Sequence, residues 1–118
     1  MKIGFYVNSA KAAAKAAQRP LAQKARALGL SVARDVRHAD VVIALGGDGT
    51  ILRAAHDLET ASILGFNLGS LGYLSAVGEE DFDSALAMLA GGAFKVSGRT
   101  MLEVVKPGGG TFTALNDI

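Results

Sequence analysis

The sequence contains no cysteine, so it can form no disulfide framework and offers neither a thiolate metal site nor a thiol nucleophile. An excess of one charge is also missing. Twelve Lys and Arg stand against eleven Asp and Glu, for a net charge of +1, and the basic residues are spread along the chain. Without a dense basic block, nucleic acid is not expected as a partner. The opening Met1-Lys2-Ile3-Gly4-Phe5 enters an apolar run too short to cross a bilayer, and no signal peptide follows it. A soluble cytoplasmic protein with no membrane partner is the expectation. Internal repeats and low-complexity linkers are absent too.

What the chain does have is apolar residues and glycine. Half of its residues are hydrophobic and 19% are charged, enough to bury a real core within one domain of 118 residues. Glycine accounts for 15 positions, roughly double ordinary usage. The glycines cluster at 46–49, 65–72, 91–92 and 108–110, at the junctions between apolar runs.

Residues 2–8 read as a short buried strand. The Ala-, Lys- and Leu-rich stretch 10–29 predicts helix ended by Gly29, with a break at Pro20 and the better helix running from Pro20 to Leu28. Residues 30–36 read as a second strand. The clearest strand is 40–45, apolar without interruption from Val41 to Leu45, as befits a strand covered on both faces. Gly46-Gly47-Asp48-Gly49 ends it, and a helix opens at Thr50. A further strand, 62–66, enters a second glycine-bearing turn over 67–74. Residues 80–90, acidic first and then apolar, predict a capped amphipathic helix stopped by Gly91-Gly92, with Asp81 and Asp83 serving its start. Beyond it, 94–106 and 111–118 read as antiparallel strands about a Pro107-Gly108-Gly109-Gly110 turn. The pattern predicts an α/β fold: a three-layer α/β/α sandwich around a mainly parallel sheet, with antiparallel strands at the C-terminal end. Because Ala114-Leu115-Asn116-Asp117-Ile118 stops inside an apparent strand, the chain reads as a fragment.

Gly46-Gly47-Asp48-Gly49-Thr50, set between a buried strand and a helix, is the strongest local signal. Glycines there let a phosphate approach the backbone, and the helix start adds unpaired N–H groups. An aspartate repels phosphate. It makes chemical sense if it accepts a proton from an attacking hydroxyl or holds a Mg²⁺ ion. The plainer reading is a tight turn whose Asp48 caps the helix.

GGDGT is shared by a kinase superfamily that includes NAD kinases, diacylglycerol and sphingosine-type lipid kinases and, more distantly, 6-phosphofructokinases. Three further segments resemble the NAD kinases in particular. Asn67-Leu68-Gly69-Ser70-Leu71-Gly72-Tyr73-Leu74 is similar to that family's N-x-G-x-L-G-F-L segment, with Tyr73 in place of Phe. Arg99-Thr100-Met101-Leu102 resembles its R-x-M-L strand, and Ala114-Leu115-Asn116-Asp117 its A-L-N-[DE] motif. The resemblance covers residues 41–118; residues 1–40 add only a compatible first strand and helix.

The resemblance implies an NAD kinase, which transfers a phosphoryl group from ATP or polyphosphate to the 2′-hydroxyl of the adenosine ribose of NAD. Residues 1–118 would be its N-terminal nucleotide-binding domain. Asp48 would be the catalytic base. Gly47, Asp48, Gly49, Leu52, Tyr73, Asn116 and Asp117 would bind NAD, and Gly46, Thr50 and Arg53 could meet phosphate. Mg²⁺ would arrive with ATP or polyphosphate, without a dedicated protein metal site. The complete protein would be a homodimer or homotetramer. The family's T-G-S-T-A-Y-like segment, from a second, mainly β domain, does not occur in this sequence, so half of the NAD pocket would lie outside it.

Other readings stand beside these roles. Tyr73 could be ordinary packing, Asn116 and Asp117 turn residues, and Arg53 a solvated charge. His38 and His56 read as surface residues and Arg99 as structural. Among functions, a lipid kinase of the same superfamily and a non-catalytic NAD-binding domain are the alternatives. Lipid kinases follow GGDGT with a G-T-x-N-D-type segment that is not found here, and a binding-only site gains nothing from a carboxylate facing phosphate. A Rossmann dehydrogenase fits less well, because no G-x-G-x-x-G follows the first strand.

Overall fold

The computed structural model describes residues 1–58, 61–69, 77–92, 100–105 and 111–116. Five parallel strands form the main sheet: β1 (Lys2–Val7), β2 (Ser31–Val32), β3 (Val41–Gly46), β4 (Ser62–Asn67) and β5 (Val77–Gly78). Their spatial order is β2-β1-β3-β4-β5. Helix α1 (Ala12–Ala27) links β1 to β2, and α2 (Asp48–Asp57) links β3 to β4. The first link steps one way along the sheet and the second steps the other way. Right-handed crossovers therefore put the two helices on opposite faces. Helix α3 (Phe82–Ala90) packs beside α1. Strands β6 (Thr100–Val105) and β7 (Thr111–Asn116) pair antiparallel in a separate sheet.

Strand β3 is buried along its whole length, and its period-2 alternation serves both layers. Val41, Ile43 and Leu45 join Ile3, Phe66, Leu21, Ala25 and Leu86 in the core under α1 and α3. Ala44 meets Ile51 and Ala54 of α2 on the other face, flanked by Tyr6 and Ile63. The result is the three-layer α/β/α arrangement. Two contacts hold α3 in place. Its Phe82 stacks on Phe66 with ring centroids 4.4 Å apart, and Lys24 Nζ of α1 lies 2.9 Å from an Asp83 carboxylate oxygen.

Four local expectations are corrected. Helix α1 does not break at Pro20 but runs through it. Pro20 and Ala16, whose carbonyl loses its N–H partner, both face solvent, so water can satisfy that oxygen and the ring displaces nothing in the core. The strand expected over 30–36 shrinks to Ser31–Val32. Asp35 accepts a hydrogen bond from the Arg37 backbone N–H at 3.0 Å and pairs with the Arg37 guanidinium, so the chain curls into a single 3₁₀ turn, Val36–His38. Helix α2 starts at Asp48 rather than Thr50. Helix α3 starts at Phe82, after a 3₁₀ turn over Glu79–Asp81. Asp81 makes no capping hydrogen bond there, and the Asp83 carboxylate is turned to Lys24.

Candidate active site

In an open parallel sheet the crevice for a ligand lies outside the carboxyl ends of the strands, where neighbouring connections leave in opposite directions. That point falls between β1 and β3. The β3 end is Gly46-Gly47-Asp48, and three loops are stitched around it. Asn8 N–H continues the β1 ladder to Leu45 O at 3.2 Å, while Leu68 N–H donates to Gly46 O at 3.0 Å. Asn67, buried at the end of β4, accepts the Gly69 N–H on Oδ1 at 2.9 Å and so turns the chain back over the crevice. Gly47 approaches the same oxygen, which lies 4.0 Å from where its Cβ would be.

Gly46 requires glycine for two reasons. Its φ is +157°, and a Cβ would collide with the Thr50 hydroxyl and come within 3.0 Å of Thr50 Cβ. Thr50 is accordingly buried beneath the loop. Gly47, not Asp48, holds the N-cap position of α2, and no side chain caps this helix. Asp48 is half-buried in the first turn, where the helix dipole favours a carboxylate. The capping reading of Asp48 thereby loses its geometry.

The structure gathers Gly46, Gly47, Asp48, Gly49 and Thr50 at this edge. Leu52, 40% exposed one turn along α2, is open to an apolar partner. Arg53 is exposed, and its charge acts on the Tyr6–Asp57 pair. Asn116 ends β7, paired with Thr100, and β7 runs close to α2. Tyr73, Asp117 and Arg99 lie outside the described residues.

His56 sits at the far end of α2, about 12 Å along the axis from Asp48, and contacts Asp57 at 3.3 Å. His38 is exposed in the 3₁₀ turn before β3. Neither histidine reaches the crevice. Also remote is a cavity of about 410 Å³ at the amino-terminal edge, bordered by Arg37, Asp40, Asp57 and Ser62. Tyr6 donates its hydroxyl to Asp57 Oδ2 at 2.5 Å. Burial first, and then that hydrogen bond, push the phenol up to about 12. The same bond, aided by His56, holds the Asp57 carboxyl below its usual range.

Residues 3–94 match the family model described as the ATP-NAD kinase N-terminal domain. This chain belongs to the NAD kinase family. It is 43% identical over 105 residues to the NAD kinase of Moorella thermoacetica, covering 81% of this chain and 34% of that one. With the NAD kinase of Chlorobaculum tepidum it shares 35% identity over 82 residues, covering 70% of this chain and 29% of that protein. A crystal structure of yeast NADH kinase complexed with NADH is similar over 73% of this chain and 28% of its own, with 26% identity and a TM-score of 0.54. The chain thus spans about a third or less of the length of these NAD kinase relatives.

Three residues at the crevice were not singled out as site residues from sequence: Asn8, Lys11 and Asn67. The signal for them is positional, since each stands at or just beyond the carboxyl end of a strand that flanks β3. Among the described residues, no helix is long and apolar enough to cross a membrane. Nor do three or more His, Asp or Glu side chains gather there as a metal site.

Proposed function

We propose that this chain is the nucleotide-binding part of an NAD kinase that transfers the terminal phosphoryl group of ATP or polyphosphate to the adenosine-ribose 2′-hydroxyl of NAD. The observation that carries the reading is the placement of Asp48. A carboxylate stands in the first turn of α2, beside a glycine loop, at the switch point of a parallel sheet. Asp48 takes the proton from the 2′-hydroxyl as the oxygen bonds to the terminal phosphorus and the bond to the leaving phosphate breaks. Gly47 and Gly49 leave room for the NAD diphosphate and ribose, and Leu52 and Tyr73 supply apolar contact. Asn116 and Asp117 hydrogen-bond the dinucleotide. Gly46 shapes the loop over the buried Thr50, which is thereby kept from phosphate, while the exposed Arg53 is the further group on α2 that phosphate could meet. Mg²⁺ enters with the donor and offsets its charge.

The length of the relatives supports a second domain that completes the pocket, and the working form of the complete protein is read as a homo-oligomer in the cytoplasm. Formation of NADP from NAD, ATP or polyphosphate, and Mg²⁺, measured beside Asp48→Asn, tests the reading. Phosphorylation of a lipid without NADP formation would replace it with the lipid kinase reading.

A further inference from the structure

Phosphoryl transfer needs positive charge on the donor's terminal oxygens, and Asp48 contributes the opposite sign. Beside the Mg²⁺ that enters with the donor, a protein cation facing the loop from another element would add to that positive charge. Among the described residues, Arg53 belongs to α2 itself, Lys2, Arg34 and Arg37 lie toward the amino-terminal edge, Lys15 and Arg19 are exposed along α1, and Lys24 and Arg26 stand at its far end. Lys11 is different. It stands at the N-cap of α1, four residues beyond the end of β1, with its backbone N–H bonded to Asn8 O at 3.0 Å.

Its amine does not point away from the crevice. Lys11 Nζ lies 3.7 Å from where a Cβ would stand on Gly69, beside Asn67 Oδ1 at 3.9 Å from the same point. Gly69 follows β4, whereas Lys11 follows β1, and β3 runs between those two strands. The loop after β1 and the Lys11 side chain together therefore bring the amine from the β1 side of β3 to the turn that follows β4. Lys11 is half-buried and forms no ion pair with a described residue.

We propose that Lys11 binds the terminal phosphates of the phosphoryl donor, holding them over Gly46-Gly47 within reach of the hydroxyl that Asp48 deprotonates. This rests on the reading of the crevice as a phosphoryl-transfer site. The ligand chemistry is an inorganic triphosphate, whether free polyphosphate or the tail of ATP.

Calorimetric titration of this chain with inorganic tripolyphosphate, ATP and NAD tests the assignment. Lys11→Met is expected to weaken tripolyphosphate and ATP by about tenfold or more, the loss of one charge-assisted hydrogen bond. Lys11→Arg should restore most of the affinity. Lys15→Met, one helical turn along on the exposed side of α1, should change it less than twofold, and NAD binding should be unaffected by either methionine. Unchanged tripolyphosphate binding in Lys11→Met overturns the proposal, as does equal loss in Lys15→Met or loss of NAD binding instead. Absence of tripolyphosphate binding to the unaltered chain also overturns it. If Lys11 governs triphosphate binding but no NADP forms, the functional reading fails while this assignment stands. If Asp48 governs NADP formation but Lys11 is silent, the reverse holds.

Discussion

Thr50 fills the space that a side chain at Gly46 would need, so the sharp exit from β3 and the first turn of α2 are built as one unit. Gly46→Ala is expected to cost about 1–3 kcal/mol as an overpacked site, measured by urea unfolding. Thr50→Ala in the same chain should return part of that loss, because it removes the hydroxyl in the way. Additive losses in the double variant would contradict the coupling.

The Phe66–Phe82 stack ties the sheet to α3. Phe82→Ala should destabilise the fold by about 3–5 kcal/mol. A double-mutant cycle with Phe66→Leu should recover a coupling of about 0.5–1.5 kcal/mol. Zero coupling would mean that the two rings merely share the core.

Pro20 sits inside an intact helix on its solvent face. Pro20→Ala should therefore stabilise the chain, by up to about 3 kcal/mol, since it restores an N–H to the Ala16 carbonyl. Loss of stability would show that the proline is needed where it stands.

The Tyr6–Asp57 bond makes a prediction in pH. The Tyr6 pKa is raised from 10.0 to about 12 in the folded chain. Its stabilising contribution is therefore complete below pH 10 and is lost as pH rises toward 12. The Asp57 pKa is lowered, so its contribution is present above the ordinary carboxyl range and is lost as pH falls through the folded value. The stability difference between the parent and Tyr6→Phe should hold from neutral pH to 10 and then shrink toward 12. A difference independent of alkaline pH would sink the assignment. In a Tyr73→Phe background, the remaining tyrosine should ionise near 12 by ultraviolet absorbance.

Much of the fold was legible because its determinants are local. The uninterrupted apolar run Val41–Leu45 could only be a strand covered on both faces, and β3 is buried throughout. The Gly46–Gly49 cluster marked where that strand ends. What escaped depends on neighbours distant in sequence. Nothing in residues 10–29 reveals that Pro20 faces water. The end of β2 is the local exception, turning on a hydrogen bond from the Arg37 N–H to Asp35 two residues away, which competes with edge pairing. Asp83 stands in the first turn of its helix as expected, and its salt bridge to Lys24, 59 residues away, is what escaped. The approach of the Lys11 amine to the turn after β4 was invisible for the same reason, since it follows from the strand order β1-β3-β4.

The central claim is that Asp48 is the base of an NAD-phosphorylating site. The most direct measurement is NADP formation from NAD, ATP or polyphosphate, and Mg²⁺ by this chain continued through the remaining length of its family, beside Asp48→Asn. The expected result is formation that falls by about 10²–10⁴-fold in the variant, with NAD binding retained. Formation at an unchanged rate in Asp48→Asn, or phosphorylation of lipid in place of NAD, would contradict it.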